Sequence, residues 1–168
     1  PDFLSGIAMG MAFNPAVNED IDGILSVFDN FGPEYQNYLY KGWGIGLNDI
    51  FFRNQAIGAK RLEIISSRIE DRYKKYLYAG LGQGIMTNFV EVYDAQMVIL
   101  LISRKIEPYY LKDFYAGVSK GLLDFENNVW ELPYALILNH TVEEIIGNIK
   151  EAKVELQNTK NLIKKIRN

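Results

Sequence analysis

Leu39-Tyr-Lys-Gly-Trp-Gly-Ile-Gly-Leu47 and Leu77-Tyr-Ala-Gly-Leu-Gly-Gln-Gly-Ile85 are two versions of one phrase, and they decide how the chain is read. Two more versions flank them, Phe3-Leu-Ser-Gly-Ile-Ala-Met-Gly-Met11 and Phe114-Tyr-Ala-Gly-Val-Ser-Lys-Gly-Leu122. The first glycines fall at Gly6, Gly42, Gly80 and Gly117, in steps of 36, 38 and 37 residues. Upstream, Tyr35 corresponds to Tyr73 and Tyr110, and Tyr38 to Tyr76. Self-similarity at such a period is the mark of a repeat architecture.

Period assigns the phrase to a helix. At 100° per residue, Tyr35, Leu39, Gly42, Gly46 and Ile50 share one stripe, and Tyr40, Gly44, Leu47 and Phe51 share the opposite one. Lys41 and Asn48 lie on a narrow polar edge between them. The third unit repeats the arrangement, with Tyr73, Leu77, Gly80 and Gly84 against Tyr78, Gly82, Ile85 and Phe89. A helix apolar on two faces is sandwiched between neighbours. Each glycine inside a helix costs about 0.5–1 kcal/mol relative to alanine, so the recurrence needs a compensating contact. Close approach of a neighbouring backbone supplies one. A phosphate-cradling loop fits poorly, because it needs a preceding strand and sits at a helix N-terminus.

Between the glycine helices lie second helices: Leu62, Ile65 and Ile69 at helical spacing, and the apolar run Met97-Val-Ile-Leu-Leu-Ile102 within 94–106. Breakers stand at Asn14-Pro15, Gly32-Pro33, Asn54 to Gly58, and Pro108. The expectation is an all-α domain of repeated helical hairpins, α-solenoid-like or a compact bundle, whose units bury their faces by stacking. The units run over about 1–34, 35–71, 72–109 and 110–140, in a single domain 1–168. Thr141-Val-Glu-Glu144 is a capping box opening a last helix, 141–168. Val142, Ile149, Leu156 and Ile163 form one heptad position and Ile145, Ala152, Thr159 and Ile166 the other, suiting a cap on the array or a seam with another chain.

The run from Val27 to Gly46, with Gly32-Pro33 leading through tyrosines into Gly42-Trp-Gly-Ile-Gly46, resembles an uncharacterised bacterial family. That family is a domain of unknown function named from its occurrence in enediyne biosynthetic clusters. Gly6-Ile-Ala-Met-Gly10, Ala79-Gly-Leu-Gly-Gln-Gly84 and Ala116-Gly-Val-Ser-Lys-Gly121 resemble its other glycine helices, so the likeness spans about residues 3–125. Departures are Gly44-Ile-Gly46 where the family has Gly-Trp-Ala, and Ser119 in place of a glycine. The resemblance implies a helical repeat and no reaction.

Composition narrows the chemistry. The 168 residues are 48% hydrophobic and 23% charged, enough for one globular domain. With no cysteine, disulfide scaffolds, thiol catalysis and cysteine-based metal sites are excluded. The single histidine, His140, precludes a multi-histidine metal site and reads as a loop residue before the Thr141 cap. Asn139-His-Thr141 is formally a glycosylation sequon without evidence of secretion. Glu91 with Asp94, and Asp124 with Glu126, follow glycine helices and read first as solvated helix-end charges. No catalytic, cofactor or metal constellation emerges. A net charge of −3 argues against nucleic acid as a partner. No transmembrane segment or signal peptide is visible, and a cytoplasmic location is slightly favoured, although a chain opening at Pro1 is compatible with processing. Residues 1–40 carry net −6 and residues 41–75 net +4, an asymmetry compatible with head-to-tail association.

The expected function is a noncatalytic helical repeat module that binds another protein or itself. The alternative is an apolar or flat small molecule held in a slot between glycine helices. Its candidate contacts are Tyr40, Trp43, Tyr78 and Tyr115. The structural glycines are Gly6, Gly10, Gly42, Gly44, Gly46, Gly80, Gly82, Gly84, Gly117 and Gly121, ten of the fourteen in the chain.

Overall fold

Helix boundaries follow from local chemistry. The structure, a computed structural model, describes residues 2–14, 19–88 and 92–128. Among them are seven α-helices and no strand: α1 (Asp2–Phe13), α2 (Ile21–Asp29), α3 (Pro33–Arg53), α4 (Gln55–Arg68), α5 (Asp71–Asn88), α6 (Val92–Ser103) and α7 (Leu111–Asn128). The expected closing helix 141–168, His140 and the sequon lie outside the described residues.

Asp20 caps α2 by accepting from the Gly23 amide at 2.9 Å. Gly32 precedes α3, and Pro33 takes its first turn, where a missing N–H leaves nothing unpaired. One extended residue, Asn54, both ends α3 and starts α4: its side-chain oxygen accepts from the Ala56 and Ile57 amides at 3.1 Å each. The breaker read over Asn54 to Gly58 is therefore a single residue. Gly58 lies inside α4, buried, where a Cβ would strike the Phe51 ring. A 3₁₀ turn, Pro108–Tyr110, leads into α7.

The glycine helices α1, α3, α5 and α7 form one row. Gly42 meets Ser5 and Gly46 meets Met9, so four residues along α3 advance four along α1, and the two run parallel. Gly80 and Gly84 meet Lys41 and Ile45 in the same way. The connecting helices return beside this row and are tied to each other at the surface. Arg68 of α4 pairs with Asp22 of α2 at 2.7 Å, and Lys105, just past α6, pairs with Glu63 of α4 at 2.6 Å. Such exposed pairs contribute roughly 0–1 kcal/mol each.

Between the rows sits an aromatic core. Phe28 of α2 meets Tyr40 and Trp43 edge-on, with ring centres 5.1 and 5.6 Å apart. Tyr40 stacks on Tyr73 at 4.6 Å, and Tyr78 tilts against Tyr110 at 5.5 Å. Edge-on and stacked pairs of this kind add about 0.5–1.5 kcal/mol beyond their buried area. Leu62 and Ile65 of α4 and Val98, Ile99 and Ile102 of α6 complete the core. No helix among the described residues is long and apolar enough to cross a membrane.

Candidate functional site

The repeat glycines obey a directional rule. No described glycine has a positive φ, so none is present for left-handed backbone. Their neighbours supply the reason instead. In each later unit the first glycine faces backward: a Cβ at Gly42, Gly80 or Gly117 would overlap the carbonyl oxygen of Ser5, Lys41 or Ala79 in the preceding glycine helix. The middle glycine faces forward: a Cβ at Gly44 or Gly82 would overlap the carbonyl oxygen of Leu77 or Phe114 in the following one. Small residues let the helix axes approach until backbone touches backbone.

Side chains fix the register of this contact. Ser5 Oγ donates to the Tyr38 carbonyl at 3.0 Å, linking α1 to α3. The buried Asn48 Nδ2 donates to the Leu81 carbonyl at 3.4 Å, linking α3 to α5. Gln83 Nε2 donates to Asp124 Oδ2 at 2.6 Å, linking α5 to α7. On the same side Lys41 is half-buried. Burial pulls its ammonium below the ordinary pKa, and Lys120 adds to the effect.

The rule fails at one end of the row. Gly6 and Gly10 occupy the backward-facing positions of α1, and nothing among the described residues lies within 4 Å of a Cβ at either. Phe3 holds the repeat position of Leu39, Leu77 and Phe114. Those three are fully buried, whereas Phe3 is 77% exposed. Ile7 holds the position of Trp43, Leu81 and Val118, which are at most 1% exposed, and it is 38% exposed. Residues 3, 6, 7 and 10 share one helical stripe, so α1 presents an apolar, glycine-notched face without a neighbour among the described residues. At the other end Ser119, where a forward-facing glycine would stand, is buried, and its hydroxyl has no hydrogen-bond partner.

The four aromatic residues marked in the sequence are brought together differently from expectation. Tyr40, Trp43, Tyr78 and Tyr115 are all core residues, at most 3% exposed. Phe28 of α2 covers Tyr40 and Trp43, Tyr40 also stacks on Tyr73 of α5, Tyr78 lies against Tyr110, and Tyr115 lies edge-on to Phe114. Burial holds the phenol of Tyr78 well above its ordinary pKa, and Glu107 Oε2, which accepts its hydrogen bond at 3.1 Å, adds to the shift. Tyr40 is raised in the same direction by burial first and Asp29 second. Of the paired acids, Asp124 bonds to Gln83 and Lys120 on the α5–α7 surface. Among the described residues no group of three or more acids or histidines is placed to hold a metal ion.

One feature had no sequence signal. A cavity of about 280 Å³ opens where α1, α3 and α4 meet, lined by the apolar Ala12, Phe13, Ile50 and Ile57 and by Glu19, Asp49, Arg53, Asn54 and Arg61. The cavity brings together residues from three helices that no spacing connects. Compared with protein families, characterised proteins and solved structures, the chain shows no significant match.

Proposed function

We propose that the chain is a noncatalytic helical repeat module that assembles through the open face of α1. The observation that supports this reading is the contrast between Phe3 and its repeat equivalents: the same position is sealed in three units and 77% exposed in the first. A contiguous apolar stripe of this kind is characteristic of an interaction surface. Its glycines suit a partner helix that comes as close as α1 comes to α3. The occupant proposed here is a second copy, joined about a twofold axis, the commonest symmetry of homo-oligomers. Asp2 is the sole charge on α1, so two such faces meet without strong repulsion.

Light scattering over a concentration series tests the reading. The unmodified chain is expected to gain mass with concentration, and Phe3→Asp is expected to stay monomeric with unchanged circular dichroism. A strict monomer for both, with no helical partner found by crosslinking through residue 7, would remove its support.

A further inference from the structure

The exposed face of α1 reads the same from either end. Phe3, Gly6, Gly10 and Phe13 stand in steps of three, four and three residues, symmetric about the buried Ala8. At helical spacing the four fall within about 80° of one another. All four are exposed, Phe3 by 77% and Phe13 by 38%. The other glycine helices lack this symmetry. At the repeat position of Phe3 they carry Leu39, Leu77 and Phe114, but at that of Phe13 they carry Asp49, Thr87 and Asp124. Only α1 among the four has an aromatic residue outside each of its two glycines. Its two ends also differ in charge. Asp2 stands beside Phe3, whereas the hollow lined by Phe13 carries Arg53 and Arg61 against Glu19 and Asp49, two bases and two acids. Ile57, 58% exposed, adds apolar surface at that second end.

We propose that α1 pairs antiparallel with α1 of a second copy, Gly6 of each against Gly10 of the other and Phe3 of each beside the other's Phe13. The pairing rests on the assembly reading above and fixes its geometry. A twofold axis at right angles to the helix exchanges its two ends, so a face built symmetrically about Ala8 meets its own complement. Facing glycines let the two backbones approach as Gly42 lets α3 approach α1. An axis along the helix would instead set each residue against itself and bring the two Asp2 carboxylates together. Antiparallel pairing carries each Asp2 to the end where bases and acids balance. It also opposes the two helix dipoles, which a parallel pair would align.

Mixing complementary variants in sedimentation velocity tests the geometry. Phe3→Asp and Phe13→Lys, each checked for folding by circular dichroism, are expected to be monomeric alone and to form a one-to-one dimer together. Only the antiparallel register sets the new carboxylate against the new ammonium while keeping the remaining Phe3 and Phe13 in contact. The mixed pair should bind at least about tenfold more tightly than either variant binds itself. A second measurement leaves the stripe intact. The chain has no cysteine, so Asp2→Cys and Asn14→Cys introduce unique thiols. Mixed in equal amounts and treated with a short bismaleimide, they should cross-link to each other, because like positions lie about 18 Å apart along the pair. A dimeric unmodified chain with cross-links only between like variants, or with no rescue on mixing, would overturn the antiparallel pairing and leave assembly standing. A strictly monomeric unmodified chain would remove the assembly reading itself, and this pairing with it.

Discussion

Gly44 of α3 lies directly against the carbonyl oxygen of Leu77 in α5, with no room for a side-chain carbon between the helices. Alanine is the better helix former by about 0.5–1 kcal/mol, so helix propensity and packing act in opposite directions at this position. The obstruction is backbone and cannot swing aside, so packing wins. Gly44→Ala and Gly82→Ala are each expected to destabilise the fold by about 1–3 kcal/mol, the range for overpacking a tight interior. Urea unfolding followed by circular dichroism checks this. Unchanged midpoints would mean that the helices stand further apart.

Loss of the Asn54 side-chain cap weakens the start of α4. That side chain satisfies two amides of the first turn of α4. Asn54→Ala should cost about 1 kcal/mol, and Asn54→Asp, which retains the acceptor, much less. The same unfolding measurement distinguishes them, and equal losses would argue against the cap.

Alkaline pH should weaken the core. Tyr40 and Tyr78 have folded pKa values raised mainly by burial, so the folded state retains their protons more tightly than the unfolded state. Their contribution is complete below the unfolded value near ~10 and is lost as pH rises through that value towards the folded one. Stability should therefore fall above about pH 10, and Tyr78→Phe should fall less steeply. Parallel pH profiles for the two proteins would contradict this assignment.

Much of this architecture was legible in the glycine spacing. The helical wheel separates Gly42 and Gly46 from Gly44, and those two stripes meet α1 and α5 respectively. Glycine is ambiguous out of context, however. Gly58 read as part of a break because nothing local shows that the Phe51 ring fills the space beside it. Tyr35 and Tyr38, read into the repeat, are 48% and 38% exposed, although Tyr73 and Tyr110, at the repeat position of Tyr35, are buried. The four marked aromatics recur like contact residues, but all four are buried in the core. The Phe3 face and the Arg61 cavity depend on what is or is not packed beside them, and a sequence pattern holds no record of a missing neighbour.

The central claim is that α1 repeats the backward-facing glycine surface with no described residue against it. Comparing Gly6→Ala with Gly80→Ala in urea unfolding, at dilutions where the chain is monomeric, tests it most directly. Gly6→Ala should stabilise the chain by about 0.5–1 kcal/mol, because alanine improves the helix and meets no neighbour. Gly80→Ala, at the same repeat position but against the Lys41 carbonyl, should destabilise it by about 1–3 kcal/mol. Two changes of the same sign and size would contradict the account.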